Sequence, residues 1–78
     1  MTDYTIRLST EDVRDFVRLT EKTPCDVDLL DSRYVVNAKS IMGVFSLDLS
    51  GSLTMRIYGM DKEYISSVRK YMVEESAA

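Results

Sequence analysis

Near the start of the chain Tyr4, Ile6 and Leu8 alternate with Thr5 and Arg7, the period-two pattern of a strand with one buried face. The spacing then lengthens to a helical one. Ser9 or Thr10 offers an N-cap oxygen, Glu11 and Asp12 place negative charge in the first turn, and Val13, Phe16, Val17 and Thr20 form one face of a helix running to about residue 22. Pro24 cannot continue that helix and biases Thr23 towards extended geometry. Cys25, Val27 and Leu29 alternating with Asp26 and Asp28 predict a second strand with an acidic outer face. A turn at Asp31-Ser32-Arg33 and the β-branched and aromatic run Tyr34-Val35-Val36 close it into a hairpin. A short helix is predicted over 40–47, then a turn at Ser50-Gly51-Ser52. In the fourth strand Leu53, Met55 and Ile57 alternate with Thr54, Arg56 and Tyr58, and Gly59 ends it. Asp61 is placed to cap a last helix with an apolar stripe of Tyr64, Ile65, Val68, Tyr71 and Met72, followed by a polar, frayed Glu74-Glu75-Ser76-Ala77-Ala78.

The order is therefore β-α-β-β-α-β-α. Helices packed on one face of a four-stranded antiparallel sheet bury every one of these stripes, which predicts a two-layer α+β domain. With 78 residues there is room for one such core, spanning 1–78. A hydrophobic content of 45% and a charged content of 29% are those of an ordinary globular chain. No apolar run approaches the roughly 18 residues needed to cross a bilayer, and Met1-Thr2-Asp3 lacks the features of a signal peptide, so a cytosolic protein is expected. A net charge of −3, with Lys and Arg scattered, disfavours direct nucleic-acid binding, which needs a basic face. The single Cys25 makes no internal disulfide and is read as core; without histidine there is no Cys/His zinc set, and no metal or cofactor is expected.

Candidate chemistry concentrates in Lys39-Ser40-Ile41-Met42-Gly43-Val44-Phe45-Ser46-Leu47. Ser40 sits at the predicted start of the short helix, where its hydroxyl can accept a backbone N–H, and Ile41, Met42 and Phe45 fall within one helical turn of each other. With Val36-Asn37-Ala38 in front, the stretch resembles the region around the regulatory serine of HPr, the phosphocarrier protein of the sugar phosphotransferase system, in its Gram-positive form. The element order also resembles that of HPr, so the resemblance covers almost the whole chain and implies the HPr-like open-faced sandwich.

The defining chemistry of that family lies between the first strand and first helix, in a Gly-x-His-Ala-Arg-Pro-like motif that takes phosphate on histidine from Enzyme I. Counting back from Ser40 without gaps puts Ser9 at the histidine, Glu11 at the arginine and Asp12 at the proline, and the chain contains no histidine at all. A serine hydroxyl is a weak nucleophile without an activating base. Glu11, Asp12 and Asp15 also crowd the first turn with negative charge, which opposes a second anion there. The resemblance is thus to HPr-like paralogues that have lost the histidine and kept the serine. It implies a non-enzymatic regulatory protein of carbon catabolite control, phosphorylated on Ser40 by HPr kinase, with Lys39, Ile41, Met42 and Phe45 contacting partners such as a catabolite control transcription factor. The alternatives are a phosphate-independent interaction domain in which Ser40 only caps the helix, and a phosphoryl carrier using Ser9.

Overall fold

The computed structural model describes residues 1–73; the expected frayed end, 74–78, lies outside them. Four strands, β1 (Thr2–Ile6), β2 (Asp26–Leu30), β3 (Val35–Asn37) and β4 (Leu53–Tyr58), and three helices, α1 (Val13–Glu21), α2 (Ile41–Phe45) and α3 (Lys62–Val68), follow in the predicted order. A 3₁₀ turn, Arg69–Tyr71, continues α3. The strands form one antiparallel sheet in the order β1-β4-β2-β3. β4 lies inside the sheet and has the cleanest alternation, with Leu53, Met55 and Ile57 buried. Its register aligns Ile6 with Leu53 on one side and Leu29 with Met55 on the other, so the apolar positions of three strands share one face.

The helices cover that face. Val13, Phe16 and Val17 of α1, Val44 of α2 and Tyr64 and Val68 of α3 join Ile6, Val27, Leu29, Leu53, Met55 and Ile57 in a single core. Each fully buried side chain of this size contributes roughly 1.5–3 kcal/mol. The polar groups inside are satisfied. Thr20 Oγ1 donates to the Phe16 carbonyl at 2.8 Å and lies 2.7 Å from the Tyr64 hydroxyl, a bond that pins α1 to α3. Burial pushes the Tyr64 hydroxyl up to about 12, with the Thr20 bond opposing the shift. On the open face Arg56 holds Asp3 through two parallel bonds of 2.9 and 3.0 Å, and the Tyr58 hydroxyl donates to Asp28 at 3.1 Å.

Three expectations are corrected. The first strand stops at Ile6, two residues early, and Leu8 reaches the core from a loop. The stripe assigned to the last helix does not stay helical: α3 ends at Val68, and Met72 is extended, bridging Ile6. The reason is the outer edge of β1, whose backbone groups need partners; Arg7 N–H donates to the Tyr71 carbonyl at 2.9 Å, and Val73 N–H to the Thr5 carbonyl at 2.8 Å. Cys25, read as core, is half-buried at its margin, with its Sγ so close under Gly59 that a Cβ there would come within 2.9 Å. Gly59 itself has φ +136°, in the region that favours glycine, and this ends β4.

Candidate functional site

The chain leaves β3 through a turn built by Asn37. Its Oδ1 accepts the Lys39 N–H at 2.8 Å and its carbonyl accepts the Ser40 N–H at 3.0 Å. Buried Ala38 fixes the turn to β2 through a 2.9 Å bond from its N–H to the Val27 carbonyl. Ser40 emerges with extended backbone, φ −100° and ψ 110°, its Oγ accepting the Gly43 N–H at 3.1 Å and its carbonyl the Val44 N–H at 2.9 Å. Gly43 packs tightly here: a Cβ there would lie 3.2 Å from Ser40 Oγ and 3.3 Å from Val36 Cβ, so either side chain would have to give by a few tenths of an ångström. Only Val44 of α2 is buried. Met42 is 80% exposed, Phe45 49% and Ile41 36%, so all three of the expected contact residues present apolar surface beside the Ser40 hydroxyl. No acidic side chain occupies the first turn of α2. Lys39 is the exception among the expected contacts, since its Nζ donates to the Thr23 carbonyl at 2.8 Å, away in the α1–β2 loop.

The start of α1 is built differently. Ser9, Thr10 and Glu11 are exposed, and the residue ahead of Val13 is Asp12, with no side-chain cap on the helix. The expected cap by the Ser9 or Thr10 hydroxyl is replaced by a turn. Asp12 Oδ2 accepts the Ser9 backbone N–H at 3.0 Å, and Asp12 N–H donates to the Ser9 carbonyl at 3.0 Å. The carboxylate thus binds the backbone of Ser9 and is not placed as a base on its hydroxyl. Asp15, one turn on, accepts the Tyr71 hydroxyl and pairs with Lys70 at 2.9 Å. The Tyr71 bond, then Lys70, holds its carboxyl below the usual carboxylate range.

No family model matches the chain, and no curated protein matches it. Solved structures do. HPr-C-His from Thermoanaerobacter tengcongensis superposes with a TM-score of 0.76 at 26% identity, over 90% of this chain and 89% of the other. The catabolite repression protein Crh of Bacillus subtilis, crystallised as an intertwined, domain-swapped dimer, superposes with a TM-score of 0.63 at 27% identity, over 90% and 88%. The chain is a divergent HPr-like protein. In this chain the β1–α1 loop, expected from the sequence to align with HPr's histidine motif, is a turn closed by the Asp12 carboxylate on the Ser9 N–H.

Two features of this HPr-like chain had no single signal in the sequence. Thr23, buried, donates from Oγ1 to Asp61 Oδ2 at 2.7 Å, while Asp61 Oδ1 caps α3 through the Tyr64 N–H at 3.1 Å. The Thr23 bond, then the Tyr64 N–H, lowers the Asp61 carboxyl. The helix break at Pro24 and the Asp61 cap were each legible, but their union needs the fold. Asp31 likewise accepts the N–H groups of Arg33 and Tyr34 at 2.7 Å each and that of Asp48 at 3.1 Å, tying the β2–β3 turn to the segment after α2. Among the described residues no helix is long and apolar enough to cross a membrane.

Proposed function

We propose that this chain, as a single domain over 1–78, is a cytosolic regulatory protein of carbon catabolite control, switched by phosphorylation of Ser40 and without histidine phosphocarrier or enzymatic activity of its own. The observation that carries the reading is the pairing of an exposed Ser40 hydroxyl with the exposed Ile41, Met42 and Phe45, at a helix start free of acidic side chains. The modifying enzyme in this reading is HPr kinase. Ser40 Oγ attacks the γ-phosphorus of ATP, the new O–P bond forms as the bond to the ADP oxygen breaks, and the hydroxyl proton passes to a base on the kinase. Phosphoserine adds about −1.5 to −2 charges at pH 7 and three acceptor oxygens beside the apolar patch. The recognition surface changes while Val44 and Leu47 keep α2 seated on the core. The partner that reads the phosphorylated form is a catabolite control transcription factor, so contact with DNA is indirect. The likeness to a catabolite repression protein supports this assignment.

A carrier using Ser9 is disfavoured by the Asp12 carboxylate on that residue's backbone and by Glu11 and Asp15 nearby. A second reading, a docking domain that works without phosphate, has one observation in its favour: Met42 and Phe45 are exposed in the unmodified chain. Titration of the transcription factor with Ser40-phosphorylated and unmodified protein separates the two. Binding confined to the phosphorylated form is expected; equal binding by both forms would establish the second reading.

A further inference from the structure

We infer that Lys39 is a switchable tether, held on the Thr23 carbonyl when Ser40 is unmodified and drawn to the phosphate when Ser40 is phosphorylated, so that the α1–β2 loop and the start of α3 sense the state of Ser40. The inference deepens the proposed function and rests on phosphate reaching Ser40. Lys39 Nζ lies 2.8 Å from the Thr23 carbonyl, a neutral acceptor. The same Thr23 holds Asp61 through Oγ1 at 2.7 Å and receives the Cys25 N–H on that oxygen at 3.3 Å, while Asp61 caps the Tyr64 N–H. One residue thus gathers the lysine, the loop and the cap of α3.

A lysine has a flexible stem and three donors, and a phosphate one residue away offers an acceptor of opposite charge, which adds ion-pair attraction to a hydrogen bond that the neutral carbonyl only matches in kind. Moving the ammonium leaves the carbonyl of Thr23 without its lysine partner and loosens the loop that Thr23 organises. That loop borders a cleft lined by Leu19, Lys22, Thr23, Asp61, Tyr64 and Ser67 of α1, the loop and α3, so modification at the start of α2 changes a surface that Ile41, Met42 and Phe45 do not line.

The test uses full-length, ¹⁵N-labelled protein with phosphoserine built in at position 40, which needs no kinase. A chain that HPr kinase ignores would defeat the proposed function and leave this result standing. Amide resonances of Gly43, Cys25 and Tyr64, hydrogen exchange, and the lysine Nζ resonances are read. In the wild type, phosphoserine is expected to shift all three amides, to speed Cys25 exchange about tenfold, the factor set by losing one hydrogen bond to a charged group, and to move Lys39 Nζ while Lys70, paired with Asp15 away from the loop, stays. In Lys39→Met only Gly43 should respond. A Gly43 shift with Cys25 and Tyr64 unmoved would overturn the inference, as would equal Cys25 and Tyr64 responses in Lys39→Met. Should Lys39→Met fold poorly, an unmoved Lys39 Nζ in the wild type overturns it alone.

Discussion

The chain starts two of its helices after a serine, and the two starts are opposites. At α1 the turn is closed by a carboxylate: Asp12 binds the backbone of Ser9, with Glu11 and Asp15 close in sequence, and Asp15 is further tied to Tyr71 and Lys70. At α2 the serine hydroxyl itself caps the helix, no acid stands in the first turn, and apolar side chains face outward. The helices differ in anchoring too. α1 buries Val13, Phe16, Val17 and Thr20, whereas α2 buries only Val44. Carboxylates crowded around the start of α1 repel a further anion, whereas the start of α2, on a lightly anchored helix, carries no acidic side chain in its first turn.

Substitutions in the two regions should separate by size. The largest effect is expected at Phe16, fully buried and packed edge-to-face on Tyr71 at 5.9 Å; Phe16→Ala should cost about 3–5 kcal/mol in urea denaturation, enough to threaten the fold of so small a domain. Next comes the cap itself. Ser40→Ala should lose about 1 kcal/mol, while Ser9→Ala, whose hydroxyl caps nothing, should stay within about 0.5 kcal/mol. Equal losses at the two serines would erase the distinction drawn here. Met42→Ala and Phe45→Ala should each leave stability within about 0.5 kcal/mol yet weaken binding of the phosphorylated chain to the transcription factor by more than about 1 kcal/mol in calorimetry. The smallest effect is acidic. Asp15 titrates lower in the folded chain than in the unfolded one, so its contribution is complete above pH about 4 and is lost as pH falls through the folded value. Asp15→Asn should therefore flatten the decline of the urea midpoint below pH 4 and change its shape little above it.

The longer strands and helices were legible from a strong local period, as in Leu53, Met55 and Ile57 or Val13, Phe16 and Val17, and the third strand from its β-branched and aromatic composition. The Ser40 cap was legible from a polar residue before an apolar turn. What escaped depended on distant backbone. Met72 fits a helical stripe until the bare edge of β1 competes for residues 71–73. Lys39 reads as a neighbour of Ser40, yet its partner is a carbonyl sixteen residues earlier, which only the folded loop brings near. Ser9 has the composition of a cap, but Asp12, three residues later, takes its backbone N–H and turns the local geometry away from that use.

Which serine, if either, carries phosphate is read from intact mass after two incubations. One tube holds the protein with ATP and HPr kinase, the other with phosphoenolpyruvate and Enzyme I. One phosphoryl group in the kinase tube alone, mapped to Ser40 and absent from Ser40→Ala, is the expected result. Modification by Enzyme I at Ser9, or an unchanged mass in both tubes, would contradict the account.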